Sequence, residues 1–143
     1  MQDLRSVIKV FEDLGVDVDL NSQDLNKKGK VDYFRFADGK IITSKVEEIH
    51  EEIVFEDDSI GVVIHFKCNI DAYKNDISKL SSEFKEDDKY ILKKGNNQEK
   101  GLIFYEIPNN QNGDANLEKI MSYDLFVNYK RMHDIVKDYM AKL

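Results

Sequence analysis

The chain is expected to form a single α+β domain over residues 1–143. An antiparallel sheet of about five or six strands should pack against an N-terminal, a central and a long C-terminal helix. Three observations carry this. Leu125, Tyr129, Met132, Val136, Tyr139 and Leu143 recur at spacings of 4, 3, 4, 3 and 4, which sets them on one face of an α-helix. Between residues 31 and 68 the apolar residues alternate instead, in arms separated by Asp38-Gly39 and by Asp57-Asp58, as hairpins do. No internal repeat or linker divides the 143 residues, a length that suits one core.

The first helix is expected from about Asp3 to Leu14, with Leu4, Val7, Ile8, Phe11 and Leu14 inward and Gly15 as its stop. Val16, Val18 and Leu20 alternate with Asp17 and Asp19 as a short edge strand, and residues 21–30 read as a polar loop. Asp38-Gly39 favours a type I′ turn, which would place Phe36 opposite Ile41 and Phe34 opposite Thr43. A two-residue turn at Asp57-Asp58 pairs Phe55 with Ile60, Ile53 with Val62 and Ile49 with Phe66. These pairs share one side of the sheet, apolar apart from Glu47 and Glu51. Asp71 can cap a central helix carrying Tyr73, Ile77, Leu80 and Phe84. KYILKK and GLIFYEI are two further strands around Gly95-Asn96-Asn97. Pro108 to Asn116 is a polar connection, with Asn116 as cap of the final helix.

Composition excludes several classes. A hydrophobic share of 41% with 34% charged residues suits a water-exposed globular chain, and its apolar runs are too short to span a bilayer. The start, MQDLRSVIKVFEDLG, carries acids where a secretion signal needs basic residues and an unbroken apolar centre. Cys68 is the single cysteine, so no intrachain disulfide and no cysteine-based zinc site can form, and a reducing cytoplasmic setting is expected. A net charge of −7 argues against nucleic acid, because phosphate contacts need clustered cations. The basic runs at residues 26–30 and at Lys93-Lys94 read as solvated turn charges.

Few residue groups point to chemistry. Asp17-Val18-Asp19-Leu20-Asn21 opens like a calcium-binding EF-hand loop, but Ser22 and Lys28 stand where Gly and Glu are required. Cys68 falls on the apolar side of the second hairpin, where a thiol is inert core. No nucleophile–base pair is evident, so no catalytic residue and no cofactor are expected. The second hairpin does set His50 opposite His65 on the face away from Ile53. Cross-strand Cβ atoms about 4.5–5.5 Å apart allow two imidazoles to share a metal. Glu48 or Glu52 would add a third ligand of the zinc type. Two ordinary sheet histidines, or a mild pH sensor, are the competing readings of His50 and His65.

The final helix has a second apolar feature. Leu117, Met121, Leu125, Phe126, Tyr129, Met132, Ile135, Val136, Tyr139 and Met140 cover one broad side, with Lys130, Arg131, Asp134, Lys137 and Asp138 opposite. Earlier in the helix the opposite side carries Ile120, Tyr123 and Val127. A surface helix needs one apolar face, so a second implies a second partner. The triplet packs under another part of the fold, or the helix breaks at Ser122-Tyr123-Asp124, or the triplet is a dimer or partner interface.

The element order, with IKVFEDLGVDV at the start and GLIFYEIPNNQNGDANLEKIMSYDL later, resembles the secretion-chaperone-like superfamily. That group includes type III secretion chaperones and the YbjN-like bacterial proteins. In the first stretch a helix runs into a strand; in the second a strand ends in a Pro-containing polar turn before a closing helix. The likeness is one of layout over nearly the whole chain, with an acidic balance, and no diagnostic motif carries it. It implies a small, non-enzymatic, commonly homodimeric protein holding a client segment on apolar patches, and it transfers no individual residue. The leading expectation is therefore a cytoplasmic adaptor or chaperone-like protein that self-associates or binds a protein partner through Ile120, Tyr123 and Val127. Neither nucleic acid nor membrane is expected as a partner. The alternative is an acidic inhibitory or immunity-type protein whose clusters at 47–58 and 86–88 steer it to a basic partner.

Overall fold

In the computed structural model, residues 4–25, 31–36, 48–56, 58–68, 75, 78–94, 99–108 and 115–142 are described. Helix α1 (Leu4–Asp13) turns Val7, Ile8 and Phe11 into the core. It ends as expected at Gly15, whose φ of 91° is the left-handed conformation that glycine adopts without a Cβ penalty. Gly15 N–H donates to Glu12 O and Val16 N–H to Phe11 O, the paired bonds of a Schellman cap. Val16 then packs on the cluster that holds Phe11, which fixes the exit of the chain.

Among the described residues the strands are β1 (Val18–Leu25), β2 (Val31–Phe36), β3 (Glu48–Glu56), β4 (Ser59–Cys68), β5 (Lys89–Lys94) and β6 (Glu99–Pro108). They pair antiparallel in the order β1-β2-β3-β4-β6-β5, and α2 (Ala115–Ala141) follows β6. Between β4 and β5, residues 78–82 are helical and present Leu80, fully buried. Helices packed on an antiparallel sheet make this an α+β fold. No helix among the described residues is long and apolar enough to cross a membrane.

The β3–β4 register is the expected one, with Phe55 opposite Ile60, Ile53 opposite Val62, Ile49 opposite Phe66 and His50 opposite His65. It continues into β6, where Ile64 pairs with Ile103 and Val62 with Tyr105. Because strand side chains alternate, Ile49, Ile53, Val62, Ile64 and Ile103 all meet the helices. Gly61 lets β4 and β6 lie close: a Cβ there would stand 3.2 Å from Tyr105 O.

Other expectations are corrected. β1 runs to Leu25, with a register shift between Asp19 and Asp24, where a polar loop was expected from residue 21. β2 is flanked by β1 and β3: Phe36 lies opposite Val18 and Phe34 opposite Ile53, so both its edges are taken. The expected partners Ile41 and Thr43, like Asp38-Gly39 and the cap Asp71, fall outside the described residues. Lys93 and Lys94 end β5 and pair with Lys100 and Glu99 instead of sitting in a turn. α2 begins at Ala115, so Asn116 lies in its first turn and does not cap it.

α2 runs unbroken through Ser122-Tyr123-Asp124, which removes the broken-helix reading. Ser122 is buried and its Oγ donates to Glu118 O at 2.8 Å, inside the helix. Leu125, Tyr129, Met132 and Val136 dock on the sheet, each 4% exposed or less. Phe11, Phe36, Phe126 and Tyr129 form an aromatic group where α1, α2 and β2 meet, with the Phe36 and Tyr129 centroids 4.5 Å apart.

A polar tie joins β6 to α2: Tyr105 Oη donates to Asp124 Oδ2 at 2.6 Å. Burial, reinforced by the Asp124 carboxylate that needs the phenolic proton, pushes Tyr105 up to about 12. A pKa raised on folding contributes stability that is complete below pH 10 and is lost as pH climbs toward 12. In a phenolate absorbance titration, Tyr105→Phe should therefore remove a step that the wild type shows near pH 12. Asp124→Asn should move that step down toward 10.

Candidate functional site

Side-chain alternation in β3 divides its polar residues between two environments. On the face away from the helices, His50, Glu52 and His65 converge. Glu52 is two residues along β3 from His50, so the pleat returns it to the same face, while the register brings His65 alongside from β4. The two imidazoles stack with centroids 4.9 Å apart and ring planes 14° apart. His50 Nε2 lies 2.9 Å from Glu52 Oε1, and His65 Nε2 lies 3.5 Å from Oε2. The Glu52 side chain is 10% exposed, those of His50 and His65 about a quarter. Burial raises the Glu52 pKa, but the two imidazoles outweigh it and hold the carboxyl down at about 2. Glu52 is therefore an anion at neutral pH. Among the described residues, one nitrogen from each histidine and one Glu52 oxygen all lie within 4.8 Å of one another. Glu52, one of the two acids considered from the sequence, joins the histidines; the side chain of the other, Glu48, lies outside the described residues. Arg35 of β2 is its register partner on the other side.

On the outer side of α2 lies the second candidate. Ile120 is 65% exposed, Tyr123 41% and Val127 61%. Leu117, placed inward by the sequence reading, joins them at 45%. At about 100° per residue these four share a strip roughly opposite the docked stripe, about 15 Å long at 1.5 Å per residue. The reading in which the triplet packs beneath the rest of the fold does not describe this surface. Beside the strip a shallow groove between α1 and α2 is lined by Lys9, Val10, Asp13, Glu118, Lys119 and Ser122.

Two arrangements escaped the sequence reading. Glu51 points to the helices, fully buried, and both its oxygens face His133 Nδ1, at 2.7 and 2.8 Å. Tyr129 Oη donates to Glu51 Oε1 at 3.2 Å. A carboxylate on the apolar side of a strand was the available signal, since such a group must find donors when buried. Arg131, assigned to the solvent side, instead grips Asp88, with Nη2 2.6 Å from Oδ1 and also bonded to Oδ2. The Asp88 side chain is 1% exposed and also accepts from Lys85 N–H. Asp88 is thus internal, and the 86–88 cluster presents less free negative charge than its sequence implies.

Compared with protein-family models, with curated proteins and with solved structures, the chain matches none.

The Glu51–His133 pair sets a stability test. Removing one partner strands the other, so His133→Ala should cost about 3–5 kcal/mol in urea unfolding. Replacing both, as Glu51→Leu with His133→Leu, should recover most of that loss, because an apolar pair has no charge to desolvate.

Proposed function

We propose that this protein is a non-catalytic adaptor or chaperone-like binding protein, and that the apolar strip of α2 pairs with a second copy of the chain or with a partner polypeptide. One observation carries the reading: Leu117, Ile120, Tyr123 and Val127 stand exposed on a continuous helix whose opposite face already fills the core. Exposed apolar side chains grouped on one strip mark an association surface, whereas scattered single ones do not. Tyr123 suits the centre of such a contact, having a large apolar body and a hydroxyl that tolerates the wet rim.

The surroundings favour a second copy. Lys9 and Lys119 sit with Asp13 and Glu118 in the adjoining groove, so the rim carries both signs. A two-fold axis through the strip sets each patch against its own image, where mixed charges can pair and a single sign would repel. The layout resemblance to the secretion-chaperone-like superfamily supports the same reading, as does the five- or six-stranded platform expected from the sequence. A cytoplasmic setting goes with it, supported by the lone Cys68, which allows no disulfide within the chain. The inhibitory alternative draws less support, since Asp88 is consumed by Arg131.

Light scattering over a concentration series tests the proposal. The wild-type chain should approach twice its 16.7 kDa mass as concentration rises. Tyr123→Lys should weaken association by at least tenfold, about 1.4 kcal/mol, with an unchanged melting temperature because the position is exposed. A wild-type chain that stays monomeric throughout and shows no response to Tyr123→Lys refutes the self-pairing reading.

A further inference from the structure

We infer that His50, Glu52 and His65 form a binding site for a late first-row divalent cation, zinc foremost, on the sheet face away from the helices. The site is independent of the α2 strip. Three features of the geometry carry it.

First, the donor set is that of a transition-metal site. Two imidazole nitrogens and one carboxylate oxygen suit zinc, copper, nickel or iron, while calcium and magnesium take oxygen ligands. Second, the spacing fits. Zinc bonds of about 2.0–2.1 Å in tetrahedral geometry place ligand atoms about 3.3 Å from one another. The Glu52 oxygens stand 2.9 and 3.5 Å from the two Nε2 atoms, on either side of that value. One donor atom from each of the three residues already falls within 4.8 Å of the others, and the two rings are stacked side by side. Third, the ligands are held. His50 and His65 are direct register partners in the β3–β4 ladder, and Glu52 is fixed two residues on by the same strand. His65 Nε2 is shielded from solvent and faces Glu52 Oε2 at 3.5 Å, longer than a well-formed hydrogen bond. A cation between them would replace that long contact with one bond to the nitrogen and one to the carboxylate.

With three protein ligands, a tetrahedral ion keeps one position for water or for a donor from another molecule. The partial exposure of both histidines leaves that position reachable from solvent. Bridging two strands, the ion would also pin the register that places every inward residue of β3 and β4.

Chelator-stripped full-length protein titrated with zinc chloride in a calorimeter is the direct test. One equivalent should bind saturably, and zinc should raise the melting temperature. Glu52→Gln, which keeps the shape and loses the charge, should weaken binding at least tenfold. The double variant His50→Ala with His65→Ala should weaken it at least a hundredfold while still melting cooperatively. Cobalt in place of zinc should show the strong visible bands of tetrahedral coordination in the wild type and lose them in the double variant. Folded wild-type protein that binds no zinc, or a double variant that binds it as tightly as the wild type, overturns the assignment. In the first case the cluster is an ion pair between Glu52 and its two histidines; in the second the zinc sits elsewhere.

Discussion

The pairing of β3 with β4 is the constraint on which the rest depends. A strand's side chains alternate, so the register that sets Ile53 against Val62 also decides the fate of every neighbour. Ile49, Glu51 and Ile53 go to the helices; His50, Glu52 and Val54 go to the other face. A slip of one residue would expose the isoleucines and drive His50 and Glu52 under α2. Burial of Ile49, Ile53, Ile60, Val62 and Ile64, all fully inaccessible, holds the register against that slip. At about 25 cal/mol per Å² of apolar surface, even one misplaced isoleucine costs more than any cross-strand pair on the polar face returns.

What was legible in the sequence follows from how far apart the interacting residues stand. The β3–β4 hairpin is local: two residues of turn and the alternation on either side determine its pairing, so the juxtaposition of His50 with His65 could be read directly. Gly15 was equally local, because a helix stop needs a residue that accepts positive φ. The partners of Glu51 and Asp88 were not legible. His133 and Arg131 lie 82 and 43 residues away, and nothing near either acid names them. For Arg131, helical geometry alone pointed to solvent; the long side chain reaches round to a buried carboxylate instead. Asp38-Gly39 and the partners it suggested, Ile41 and Thr43, fall outside the described residues, among which Phe34 lies opposite Ile53 and Phe36 opposite Val18.

The candidate sites divide along the same line. The histidine cluster was visible as spacing, and among the described residues Glu52, one of its two candidate third members, joins it. The strip on α2 was visible as periodicity, but Leu117 changed sides because the helix outruns the surface it docks on. Its N-terminal turns carry Leu117 and Ile120 in the open, while the docked contacts begin at Ser122 and Leu125. Apolar residues on the far side of such a helix gain nothing from the core, so folding alone does not account for them.

The separation of Glu51 from His133 has a consequence for how the chain reaches this state. During synthesis from the N-terminus, β3 and β4 leave the ribosome long before the segment that supplies His133, Tyr129 and Met132. Until then the face lined by Ile49, Ile53 and Ile64 has only α1 and the 78–82 segment to cover it, and the Glu51 carboxylate in its midst lacks its partners from the last helix. That charge interrupts what would otherwise be an uncut apolar sheet, the kind of surface that draws nascent chains together. An acid that burdens the finished core thus acts as a gatekeeper for the unfinished one, and finds His133 and Tyr129 when the last helix arrives.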